Sequence, residues 1–212
     1  MNIRFSILDQ HLQLLCEKAL YWEECNWLVI ADVHLGKSSH FRRHGFAVPK
    51  AVSEKTLNGL AELISRLNPE TVIFLGDLFH SVENTEWQLL SNVIDTFSDT
   101  RFVLVEGNHD ILNPELYHHS GIEVVDELRQ GPFSFTHHPQ EEPELYNFCG
   151  HIHPAVELTG KGRQRLRFPC FFFGQRQAIL PAFGEFTGTY VLRPEKEDKI
   201  FVCAKGTVIE VN

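Results

Sequence analysis

Residues 27–34 read WLVIADVH, an apolar run that stops abruptly at Asp32 and His34. Five apolar residues bounded by polar ones predict a buried or half-buried strand. The same pattern recurs along the chain. TVIFL at 71–75 leads into Gly76-Asp77, and FVLVE at 102–106 leads into Gly107-Asn108-His109-Asp110. FSFT at 133–136 leads into His137-His138, and LYNFC at 145–149 leads into Gly150-His151-Ile152-His153. Asp, Asn and His offer the oxygen and nitrogen donors that bind divalent transition metals. Ligands of open α/β sheets gather outside the carboxyl ends of the strands, so donor-tipped strands predict a site along one edge. The Asp-x-His and His-x-His spacings suggest strand-to-loop bends in which alternate residues point the same way. Gly76, Gly107 and Gly150 each precede a donor position, where the chain must turn sharply or come close to an ion.

Two helices are predicted around this framework. Residues 51–66 set Val52, Leu57, Leu60, Leu63, Ile64 and Leu67 at three-to-four spacing, closed by Asn68-Pro69. Residues 84–97 do the same with Trp87, Leu90, Val93, Ile94 and Phe97 behind a candidate Asn84 cap. The alternation of strand and helix across 27–105 predicts a parallel or mixed sheet. From 131 onward only short apolar runs follow, at 133–136, 145–149, 168–173, 188–192, 200–204 and 207–211. They predict a second, mostly antiparallel sheet packed on the first. His118 and His119 fall in a predicted solvent-facing loop. With no repeat, low-complexity tract or linker, the expectation is one α/β domain over residues 1–212.

Composition narrows the function classes. The chain has 212 residues, 43% hydrophobic and 22% charged, which is enough apolar material for a core and excludes a disordered or collagen-like chain. A formal charge of −9 excludes a broad basic coat for duplex nucleic acid. Twelve histidines are many, and imidazole is the commonest neutral metal ligand. Five scattered cysteines without a CxxC pair argue against a disulfide framework and for a reducing, cytoplasmic setting. The opening MNIRFSILDQHLQLL is a poor signal peptide, and no apolar run is long enough to span a membrane.

The blocks DVH, GD, GNHD, THH and GHIH, from residue 32 to 153, resemble the five motifs of the calcineurin-like metallophosphoesterases. The resemblance implies a four-layer αββα sandwich of two mixed sheets flanked by helices. It implies a two-metal phosphoesterase as well. One ion would be held by Asp32, His34, Asp77 and His153. The other would be held by Asp77, Asn108, His137 and His151, with Asp77 bridging. His137 is preferred to His138 because the family's ligand directly follows its strand. His109 would protonate the leaving oxygen, and Asp110 would orient the His109 ring. A finer resemblance covers nearly the whole chain. DVHLGKSSHFRRHGFAVP at 32–49, LGDLFHS at 75–81, GRQRLRFPCFFF at 162–173 and LPAFGEFTG at 180–188 are similar to a bacterial subgroup of ligase-associated DNA-damage-response endonucleases or phosphoesterases. It implies cutting of single-stranded or flexible DNA in repair, with manganese (iron, zinc, nickel or cobalt also fitting), beside a DNA ligase and a helicase. A related nuclease family adds a capping domain, for which this length leaves no room.

Several residues could hold a substrate. Arg42 and Arg43 suit bidentate phosphate binding, Lys37 suits a point-charge contact, and His80 could line the pocket behind Asp77. Lys161, Arg163, Arg165 and Arg167 alternate, and so share one strand face, either as a phosphate track or as a merely solvated hairpin. Phe41, Phe168 and Phe171–Phe173 could stack on bases. For Phe171–Phe173, core packing is the preferred reading. Cys149, beside Gly150-His151, is expected to be a small buried hydrophobe. The alternatives to a DNA phosphodiesterase are a hydrolase of cyclic nucleotides or another small phosphoester, and a non-catalytic scaffold. The full complement of ligand positions argues against the scaffold.

Overall fold

The carboxyl ends of three parallel strands define one edge of the molecule: β4 (Trp27–Ala31), β5 (Thr71–Leu75) and β6 (Arg101–Val105). The computed structural model describes residues 1–37, 51–160, 162–185 and 187–211. β1 (Ile3–Ile7), β2 (Gln10–Leu14) and β3 (Leu20–Trp22) precede them as an antiparallel meander, and β7 (Ile122–Val125) closes the far side. The first sheet thus runs in simple order from β1 to β7.

The crossovers between parallel strands are helical, as the periodicity predicts. α1 (Ala51–Leu67) buries Leu57, Leu60, Leu63 and Ile64 on one face. Each such side chain contributes about 1.5–3 kcal/mol when withdrawn from water. The helix stops where Asn68 turns left-handed (φ 45°) with its N–H on the Ile64 carbonyl, and Pro69 has no N–H with which to continue. α2 (Thr85–Thr96) starts where Asn84 accepts the Glu86 N–H at 2.8 Å, and buries Trp87, Leu90 and Ile94. A third helix, α3 (Pro114–His119), takes up residues expected to form a loop. At six residues it is too short to show a period, but Asn113 caps it, and His118 and His119 are exposed, as anticipated.

The second sheet comprises β8 (Leu128–Gln130), β9 (Phe133–Phe135), β10 (Tyr146–Cys149), β11 (Pro154–Thr159), β12 (Arg165–Phe173), β13 (Gln177–Ile179), β14 (Tyr190–Val191), β15 (Lys199–Ala204) and β16 (Thr207–Val211). It is more mixed than expected. β10 is parallel to both β9 and β13, and β11 is parallel to β14, whereas β11–β12 and β12–β15 are antiparallel. The parallel pairing of β9 with β10 has a consequence for the site, because both strands deliver their carboxyl ends to the same edge.

The two sheets pack face to face. Val29, Ala31, Ile73, Leu75 and Val105 of the first meet Phe133, Phe135, Phe148, Phe171, Phe173 and Phe201 of the second. Phe171 and Phe173 are therefore core residues and do not stack on bases, while Phe172 and Phe168 are half-buried on the opposite face. The helices cover the outer face of the first sheet. Two mixed sheets with flanking helices match the expected class. Among the described residues no helix lies on the outer face of the second sheet, because every described element after α3 is a strand. Among these residues no helix is long and apolar enough to cross a membrane.

Candidate metal centre

The donor residues do not continue their strands. Asp32, His34, Asp77, His151 and His153 all have positive φ, between 50° and 64°. That region costs a side chain about 1–2 kcal/mol, so the bends at these strand ends are strained rather than extended. The Asp-x-His and His-x-His segments do bend at the strand ends, as their spacings suggest, but not by extended alternation. A left-handed turn after each strand does the aiming. Five strained residues in one place mark a site under functional constraint.

The strain is held by packing. At Gly76, with φ 73°, a Cβ would lie 2.1 Å from His137 Nδ1, and at Gly150 one would lie 2.6 Å from Asp32 Oδ2. Only glycine lets the β5 and β10 ends come this close. The segment after β13 seals the β4 end. Phe183 N–H donates to the Ala31 carbonyl (2.8 Å), and Gly184 N–H to the Asp32 carbonyl (3.1 Å). The LPAFG stretch is thus a buttress for Asp32.

Asp32, His34 and His153 form one cluster, and Asp32, Asp77 and His137 a second that shares Asp32. His153 Nε2 lies 3.3 Å from Asp32 Oδ1 and 3.2 Å from His34 Nε2, which is 3.5 Å from Asp77 Oδ2. The other Asp77 oxygen, Oδ1, lies 3.5 Å from His137 Nε2, and that nitrogen is 3.1 Å from Asn108 Oδ1 and 3.2 Å from His151 Nδ1. Asp77 therefore stands between two groups of donors. Asp32, Asp77 and His137 are almost wholly buried. The exposed His138 also lies close to His137 and His151. His137 differs from it in being locked: its Nδ1 donates to the Leu75 carbonyl at 2.9 Å, which fixes the tautomer and leaves Nε2 facing Asp77 and Asn108. His153 Nδ1 is tied in the same way to the Gly188 carbonyl at 3.1 Å.

These contacts test whether a metal fits. In the neutral form that a metal requires, with Nδ1 donating, Nε2 of His137 and of His153 presents a lone pair to a carboxylate oxygen, acceptor against acceptor. A cation among them turns that repulsion into bonds, so the donor set fits divalent ions. Burial pushes His34 down to about 2, with Lys37 and the neighbouring imidazoles adding to the effect, and burial also lowers His151. Both rings are thereby kept in the neutral form that a metal requires.

The GNHD loop is arranged differently from expectation. Asp110 does not address the His109 ring. Its Oδ2 accepts the N–H groups of Asp77 (2.7 Å) and Gly107 (2.9 Å), and its Oδ1 that of Phe79 (3.0 Å). It is a tie between two site loops. Burial pushes its carboxyl up to about 6, against the pull of those N–H donors. His109 donates its backbone N–H to Asp77 Oδ1 at 2.9 Å, and its ring stacks on His80 at 3.8 Å between centroids. His80, read from sequence as a pocket residue, is the group that steadies His109. Burial lowers the Lys37 pKa, and the Asp77 and Asp32 charges lie near enough to oppose that shift in part. Arg42, Arg43, His40, Phe41, His44 and Lys161 lie outside the described residues. Sequence reasoning missed Glu86. It is buried beneath the loop after His34 and accepts the Gly36 N–H at 2.8 Å. In sequence it reads only as a first-turn acid.

Residues 26–203 match the model of the calcineurin-like phosphoesterases. The chain is similar over its whole length to the structure of nuclease MPE of Pseudomonas putida, with 31% identity, all of both chains covered and a TM-score of 0.86. It also matches Yfce, a phosphoesterase from E. coli, at 12% identity over 87% of this chain and 97% of that one, with a TM-score of 0.46. Among curated proteins none matches.

Proposed function

This chain belongs to the calcineurin-like phosphoesterase family of metal-dependent hydrolases, and we propose that it is a phosphodiesterase that cuts single-stranded or flexible DNA. Asp32, His34, Asp77 and His153 would hold one divalent ion, and Asp77, Asn108, His137 and His151 a second. Manganese is the proposed metal, and iron, zinc, nickel or cobalt suit the same donors. Such ions supply positive charge to the phosphoryl oxygens and lower the pKa of water.

The protein's own groups do the rest. Asp77 sends one oxygen toward each donor group and orients the GNHD loop through the His109 N–H. His109, stacked on His80, delivers a proton to the leaving oxygen. Asp110 holds the two loops in register. Lys37, with Arg42 and Arg43, neutralises substrate phosphates. We place the enzyme in the cytoplasm, as a single domain working in DNA repair beside a DNA ligase and a helicase.

The observation that carries this reading is the convergence of Asp32, His34, Asp77, Asn108, His137, His151 and His153, with the His109 ring beside them, stacked on His80. The full-length likeness to a nuclease supports the choice of nucleic acid. The test is a panel with added manganese: circular single-stranded DNA, linear duplex, 2′,3′-cyclic nucleotides and a phosphomonoester, with Asp77→Asn as the blank. Opening of circular DNA by the parent alone is the expected result. Hydrolysis of cyclic nucleotides without any cutting of DNA overturns it.

A further inference from the structure

The β11–β12 arm has two unlike faces. β11 begins one residue after His153 and runs outward from the metal centre, and β12 returns beside it. In the antiparallel register Leu158 pairs with Leu166, Glu157 with Arg167 and Thr159 with Arg165. Side chains alternate between faces, so Arg165, Arg167 and Glu157 share the face of Ala155, Phe171 and Phe173, the one turned toward the first sheet. Leu158 and Leu166 lie on the outer face. Among the described residues of these two strands, the positive charge therefore lies on the face turned toward the first sheet.

We infer that Arg165 and Arg167 on this inner face form a track for the phosphate backbone of a nucleic-acid strand that passes through the metal centre. The inference rests on the nuclease reading above. The spacing suits the task. Arg167 lies opposite a residue four positions beyond His153, about 13 Å along the strand, and Arg165 about 7 Å farther. Two guanidiniums stepping outward at that interval can each take a successive phosphate as a bidentate partner. Both are exposed, and both lean on one carboxylate: Arg165 Nη1 is 3.4 Å from Glu157 Oε1, and Arg167 Nε is 3.7 Å from Glu157 Oε2. One acid shared by two arginines leaves the group net positive. Long solvent-screened pairs of this kind are weak and readily exchanged for phosphate. Arg163 stands in the turn at the arm's tip. Against a chain of formal charge −9, such a track gives a strand one favoured path.

The experiment measures binding of a fluorescent 20-nucleotide DNA strand and a trinucleotide to the Asp77→Asn protein with manganese, across a salt series. The same ranking is read as KM for cleavage in the parent background. Arg165→Ala with Arg167→Ala is expected to weaken binding of the long strand about tenfold and to flatten its log–log salt slope by about 1.4. The loss should be smaller for the trinucleotide. Glu157→Gln is expected to tighten binding of the long strand, an outcome that mere loss of a structural pair does not give. Arg129→Ala, on the β8 edge of the same sheet, is the control and binds as its parent does. Unchanged affinity and slope in the double variant, or no tightening with Glu157→Gln, overturns the track. If the parent cuts DNA and the double variant binds normally, the track fails and the nuclease reading stands. If the strand binds through the arm but is never cut, the nuclease reading fails and the track stands.

Discussion

Gly76→Ala is the sharpest perturbation of the site that leaves every donor in place. The new methyl would lie 2.1 Å from His137 Nδ1, 2.4 Å from its Cγ and 2.9 Å from Gly107 Cα. The ring has nowhere to go. It is buried, with Nδ1 on the Leu75 carbonyl and Nε2 facing Asp77 and Asn108. Holding alanine at φ 73° costs about 1–2 kcal/mol, and the overpacking about 1–3 kcal/mol more. The sum, about 2–5 kcal/mol, lowers Tm by about 4–20 °C in a chain of this size. Calorimetry in chelator isolates this from metal binding, and manganese titration then reads the displaced His137 as lost occupancy. Gly188→Ala is the control, since its Cβ would meet nothing within 4 Å, and it should stay within about 0.5 kcal/mol of the parent. A Gly76→Ala protein that melts within a degree or two of the parent and binds manganese equally would refute the reasoning.

Other perturbations separate the roles within the site. His109→Ala should keep manganese binding and lose most turnover on diesters with poor leaving groups, with less loss on p-nitrophenyl esters; equal losses on both would remove it as the proton donor. Asp110→Asn must set an amide N–H against at least one of three backbone N–H donors, at about 1–3 kcal/mol, read as a lower Tm in chelator; an unchanged melt argues against the tie. His34 is held neutral far below its ordinary pKa, whereas the unfolded chain protonates near 6.5. Its contribution is full above that pH and is lost as pH falls, by up to about 1.4 kcal/mol per unit. The metal-free parent should therefore lose more stability from pH 7 to 5 than His34→Gln, and parallel curves contradict this. Burial raises the thiol pKa of Cys149, Cys170 and Cys203, those of Cys170 and Cys203 to about 12. Native-state alkylation followed by mass spectrometry should therefore label Cys16 and Cys25 well before these three.

What could be read from the sequence was whatever short-range patterning controls. α1 and α2 lie within a residue or so of their apolar periodicity, and every long apolar run became a strand. The donor-tipped strands were legible because residue type and position coincide. Elements without a strong local signal were not legible. β2, reading QHLQL, is half polar, and α3 is a single capped turn and a half. The parallel placement of β10 between β9 and β13 depends on partners far along the chain, which no local pattern reports. Two features of the site were hidden for a related reason. Positive φ at Asp32, His34 and Asp77 arises from loops braced by Gly76, Phe183 and Gly184, and the hold of Asp110 on three amides is a tertiary arrangement. Residue identities announce a donor but not the bonds made by its second oxygen.

We propose that Asp77 sits between two ions. Electron paramagnetic resonance of the manganese-loaded protein tests it most directly. The parent is expected to give the spectrum of an exchange-coupled manganese pair, reduced to an uncoupled ion in Asp77→Asn. An uncoupled signal in the fully loaded parent, or coupling that survives Asp77→Asn, would contradict it.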